Sequence, residues 1–132
     1  MTLRNAGKYL WALPNTLLGL CFVPPALLSG GKVEQVQGVL EVHGPAINRL
    51  LKGVPLVGGA SAMTIGHVVI GRDAETLKRC REHEQVHVRQ YEKWGPLFIP
   101  AYFLSSAAQW AKGGDAYSDN RFEREATRKS QT

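Results

Sequence analysis

Cysteine is nearly absent: the chain has two, Cys21 and Cys80, far apart and in no CxxC pair. That scarcity excludes a disulfide framework and a cysteine-rich zinc site, leaving room for one bridge at most. Acidic residues are outnumbered, 11 Asp and Glu against 16 Lys and Arg, for a net charge of +5. Such a surplus suits an anionic partner, either nucleic acid or a membrane surface. The basic residues are mostly interleaved with acids, and neither a helix-turn-helix nor an RNA-binding signature is present, so no nucleic acid is expected. The densest basic group, Arg121, Arg124, Arg128 and Lys129, reads as a solvated helix face or a frayed tail. At 132 residues and 44% hydrophobic content the chain reads as one domain, 1–132, with a single core and no separate substrate-recognition module. Composition leaves its oligomeric state open.

Charge is missing from two stretches. None lies between Lys8 and Lys32, and residues 9–28 are apolar over a length sufficient for a membrane span. Pro14, Asn15, Pro24 and Pro25 should break or bend a helix there. Three roles stay open for this segment: a core helix, a membrane anchor with Arg4 and Lys8 on the cytoplasmic side, or an export signal. Leu28-Ser29-Gly30 is a poor cleavage site for the last. The expected location is therefore cytoplasmic or membrane-associated through residues 9–28. The second stretch, 97–111, lies between Trp94 and Lys112 and ends near Trp110, but Pro100, Ser105, Ser106 and Gln109 make it a weak spanning candidate.

Between them, residues 30–71 are β-rich and punctuated by glycine. Residues 33–42 alternate as one strand around Gly38, and Gly44-Pro45 stops it. A helical turn fits 46–51, loops are marked by Gly53, Pro55, Gly58 and Gly59, and 62–70 is the best strand. His43 ends the first strand and His67 lies in the last. Asp73 then suits the N-cap of a helix over 73–94, Glu75 suits its dipole, and Gly95-Pro96 closes it.

That helix carries His83-Glu84-Gln85-Val86-His87. At the helical period Leu77, Cys80, His83, Glu84, His87, Val88, Tyr91 and Trp94 share an inward face. Lys78, Arg79, Arg81, Glu82, Gln85, Arg89, Glu92 and Lys93 share the other. Two imidazoles and a carboxylate on an apolar face need a compensating ligand, and a divalent cation supplies it. Histidines four apart reach one ion from successive turns, and the Glu between them can handle the water it activates. This is the HExxH arrangement of zinc hydrolases.

A catalytic zinc usually has three protein ligands, and the run Asn120 to Ala126 offers Glu123 and Glu125. On a helix these two diverge by about 200°, so only one can face the ion. Asn120 with Glu123 also matches a capping box, which would occupy Glu123 otherwise.

His83-Glu84-x-x-His87 followed by Glu123-Arg124-Glu125-Ala126 resembles the zincin metallopeptidases. More narrowly, it resembles those gluzincins whose third ligand lies in a downstream Glu-x-x-Ala. The run HEQVHVRQYEKWGP is also similar to that of small bacterial HExxH proteins, and the resemblance spans residues 65–126. Thr127 stands where an Asp often follows the Ala, which puts the support of the histidines in question. Peptide-deformylase-like enzymes also use HExxH, but their Gly-Cys-Leu context is missing.

The resemblance implies zinc bound by His83, His87 and Glu123, with Glu84 as general base in the hydrolysis of a peptide or protein substrate. It also implies an edge strand within 62–69 that holds the substrate backbone. Tyr117, His67 and Tyr91 are candidates for stabilising the oxyanion. The alternative is a non-catalytic, metal-binding zincin scaffold serving as an interaction module at a membrane. The expected fold is α+β: an N-terminal helix, a small twisted sheet of about three strands, the HExxH helix, and two C-terminal helices within 96–128. Ligands from both sides of the 97–111 segment allow at most one membrane crossing, over 9–28.

Overall fold

In a computed structural model, residues 3–53, 62–115, 117 and 119–130 are described. The loop marks at Pro55, Gly58 and Gly59 and the Arg4 side chain lie outside the described residues. The architecture is α+β. Helices α1 (Leu3–Leu20) and α2 (Val23–Leu28) precede strands β1 (Lys32–Val36) and β2 (Val39–His43). Helix α3 (Pro45–Lys52) leads to β3 (Ala62–Ile65) and β4 (Val68–Gly71). The long helix α4 (Ala74–Trp94) then passes through a 3-10 turn (Gly95–Leu97) into α5 (Phe98–Ala111), and α6 (Arg121–Ser130) follows.

Among the described residues the sheet has four strands in the order β1-β2-β4-β3, against about three expected from the sequence. The count rises because both runs read as single strands are hairpins, the first of them 33–42. Val36 pairs with Val39, and the intervening Gln37 and Gly38 both take positive φ, 54° and 77°, which suits a tight two-residue connection. The run 62–70 is likewise a hairpin, turning at Gly66 (φ 67°), so His67 lies in the turn and not in a strand. Among the described strands only β2 and β4 pair in parallel, with α3 and β3 between them in the chain.

Alternation along the central strands separates two cores. Val42, Val68 and Ile70 face α2 and α3 through Ala26, Ile47 and Leu51. Val39 and Val69 face α4 through Leu77 and Val88. Glu41 also points to the α4 side, where it is buried and accepts two hydrogen bonds from Arg81, at 2.9 and 3.0 Å. Arg81 therefore turns towards the sheet, against the outward position read from the sequence. Gln85 is buried and Glu92 meets His67, so the solvated face of α4 is narrower than a two-sided projection gives. The cause is packing on several sides, since α4 touches the sheet, α1 and α6.

The N-terminal segment is two helices, broken at Cys21 and Phe22, with Pro24 and Pro25 opening α2, where a missing N–H costs little. Pro14 does not break α1. It leaves the carbonyl of Leu10 without a helical partner, and both residues are on the exposed side. The opposite face of α1 is tied to the domain along its length. Tyr9 donates to the Gly38 carbonyl at 2.7 Å, Trp11 to that of Lys93 at 3.2 Å and Asn15 to that of Gly95 at 2.8 Å, while Thr16 accepts from the His67 N–H at 3.0 Å. Both cysteines are free.

Gly95 ends α4 with φ 57°, and a Cβ there would collide with the indole of Trp11. Gly95→Ala is expected to destabilise the fold by about 1–3 kcal/mol, combining strain at positive φ with overpacking. An unchanged urea midpoint would show that the α1–α4 junction gives way freely.

Candidate metal site

Helix α4 sets the site. Asp73 caps it, accepting from the Thr76 N–H at 2.7 Å, as expected from the sequence. With Leu77 and Val88 fixed against the sheet, the side chains of His83, Glu84 and His87 turn together; their ligand atoms lie within 4.8 Å of one another. Glu84 and His87 are buried and His83 is partly open.

Helix α6 brings Glu123 to them. One carboxylate oxygen, Oε1, lies 3.0 Å from His83 Nε2 and 3.1 Å from His87 Nε2, and the other accepts from the Tyr102 hydroxyl at 2.6 Å. Asn120 positions both elements: its Oδ1 accepts from the Phe122 N–H at 2.8 Å, while its Nδ2 donates to the Tyr102 carbonyl and to Ser106 Oγ of α5. The cap is thus made by Asn120 itself. The Glu123 carboxylate, which a capping box would turn back, points to the histidines instead. Glu125 takes a different course, accepting from Gln90 at 2.8 Å and pairing with Lys129 at 3.8 Å.

Gln90 supplies support that the sequence left in question at Thr127. Its Nε2 donates to the Phe122 carbonyl at 3.0 Å and to Glu125, which fixes the amide so that Oε1 meets His87 Nδ1 at 2.8 Å. Nδ1 must then be the donor, and Nε2 is the nitrogen turned to Glu123. The only sequence trace of this role is spacing, since Gln90 follows His87 by three on one helix.

Charge is balanced inside the cluster. Burial works to raise the Glu123 pKa, but donors from His83, His87 and Tyr102 hold its carboxyl well below the usual range. Burial works to lower His87, and the Glu123 hydrogen bond with the Glu84 charge overrides it, raising the imidazole to about 9. Glu84 is raised by its burial, opposed by both histidines and a weak bond from Thr64 Oγ1. Hydrogen bonds between Glu123 Oε1 and both imidazoles thus hold the cluster together.

Of the other residues singled out, Tyr117 stands at the rim, its phenol raised by burial and by the Glu123 charge. Tyr91 donates to the Thr64 carbonyl at 3.0 Å. His67 is not brought to the site: it stacks on Tyr9 with ring centroids 4.0 Å apart and meets Glu92 Oε2 at 2.9 Å. Tyr102, which the sequence reading passed over inside an apolar run, reaches the cluster directly. Comparison with family models, curated proteins and solved structures finds no match to this chain.

Proposed function

We propose that the chain is a zinc-dependent metallopeptidase, a small zincin-like domain in which His83, His87 and Glu123 hold the ion and Glu84 is the general base. The observation that carries this reading is the near-equal approach of Glu123 Oε1 to the two Nε2 atoms, 3.0 and 3.1 Å. A tetrahedral ion with bonds of about 2.0–2.1 Å spaces its donor atoms about 3.3–3.4 Å apart. The Glu123 oxygen therefore needs to withdraw from each nitrogen by only a few tenths of an ångström to fit, and the His83 and His87 ligand atoms lie within 4.8 Å of one another. Two imidazoles and one carboxylate are also the donor types of open, catalytic zinc sites.

Bound zinc supplies Lewis acidity and lowers the pKa of water towards neutrality. The chain's own residues do the rest. Glu84, buried beside the ligand atoms and raised above ordinary carboxylates, takes a proton from the attacking water and returns it to the leaving amine. Gln90 holds His87 in the tautomer that presents Nε2. Tyr117, at the rim, would donate to the developing oxyanion. Strand β3 pairs only with β4 among the described strands, and Thr64 on it touches Glu84, so its outer edge can align an extended peptide.

Elemental analysis of purified protein is expected to find one zinc per chain, and His87→Ala to lose it. Full zinc retention by that variant would overturn the ligand assignment.

A further inference from the structure

The outward faces of α1, α2 and α5 are apolar to a degree that a solvated surface does not explain. Leu17 of α1 is 55% exposed, and on α5 Phe103, Leu104 and Trp110 are 65%, 71% and 75% exposed. No charged residue follows Lys8 on α1, and neither α2 nor α5 carries one. The two helices adjoin, because α1 and α5 both contact the Gly95–Leu97 turn, and Ala12 of α1 packs with Phe98 of α5. Exposed apolar patches on this scale mark an interaction site.

We propose that this face docks in the plane of an anionic lipid bilayer, with α1 and α5 lying in the headgroup and upper acyl region. Charge selects that occupant. Lys8, Lys32, Lys93 and Lys112 bound the apolar stretches, all exposed and all basic. Anionic headgroups complement them, whereas a second copy related by a two-fold axis would set the same lysines against each other. Trp110 is exposed on the α5 face, and indoles sit at the depth of headgroups.

The segment Ala6–Leu28 is long and apolar enough to cross a membrane. Its placement argues against crossing. The helix breaks at Cys21, and hydrogen bonds from Tyr9, Trp11 and Asn15 bind its other face to the domain. Inserting α1 across the bilayer would strip these bonds or carry Arg89, Glu92 and Lys93 of α4 into hydrocarbon. An in-plane amphipathic face meets both constraints.

The test is flotation of the full chain with vesicles of phosphatidylcholine, alone or mixed with phosphatidylglycerol, beside Leu17→Glu/Leu104→Glu. Both substitutions are at exposed positions, and a melting curve establishes that the variant is folded. Wild type is expected to float with the mixed vesicles and to leave them in alkaline carbonate, while its binding to neutral vesicles and the variant's binding to the mixed ones should each be weaker by at least about tenfold. Flotation unaffected by the substitutions, or none with either vesicle, would overturn the proposal. A concentration-dependent dimer dissolved by the same substitutions, without vesicle binding, would assign the face to a second copy. Resistance to carbonate would mean that the helix crosses.

Discussion

Glu84→Gln is expected to reduce cleavage of an unstructured protein by about 10²–10⁴-fold, the usual contribution of a positioned general base, with zinc content unchanged. The substitution keeps the shape of the side chain and one carbonyl-type oxygen, so the weak bond from Thr64 Oγ1 can persist. What it removes is the capacity to accept a proton. It also removes a carboxylate that burial already disfavours in its charged form, so the variant should be no less stable than wild type. The proposed metal donors should be unaffected, because Glu123 is held by hydrogen bonds to both histidines and Tyr102 that do not involve Glu84. Cleavage must be compared at matched zinc occupancy. Equal cleavage by both proteins would deny Glu84 its role, and no cleavage by wild type across pH and added zinc would favour a metal-holding module without turnover.

The parts of the fold legible in the sequence are those governed by short-range rules. The α4 boundaries follow from Asp73, Glu75 and Gly95-Pro96, each acting within a turn of its own position. The mixed α+β class follows from the change of texture near residue 30 and again near 73. Strand number was harder to read. A two-residue turn at Gln37-Gly38 interrupts alternation so briefly that 33–42 reads as continuous, and Gln is not the usual residue at positive φ. Local geometry also showed that only one of Glu123 and Glu125 could face the histidines, since about 200° separates them, but not which one. By contrast, Gln90, Tyr102 and Asn120 act across elements. Tyr102 is an unremarkable aromatic in an apolar run until α5 and α6 are packed together and Asn120 bonds back to its carbonyl. Arg81 shows the same limit from the other side: its partner Glu41 lies 40 residues upstream, and no helical projection can find it.

The order of effects on metal affinity tests this cross-element arrangement directly. Glu123→Gln is expected to weaken zinc binding by more than about 100-fold, since it loses a charged donor rather than an orienting contact. Gln90→Leu should cost about 10–100-fold, because His87 then loses the acceptor that holds its Nδ1–H. Glu125→Gln should cost no more than a few-fold: its side chain faces Gln90, not the histidines, and the amide oxygen can still accept from Gln90 Nε2. Competitive titration against a chromophoric chelator measures all three. A larger loss for Glu125→Gln than for Glu123→Gln would move the ligand to Glu125 and would require α6 to turn by roughly half a revolution. Small and equal losses for both carboxylates would reduce α6 to a packing element, leaving His83, Glu84 and His87 of α4 as the candidate donors among the described residues.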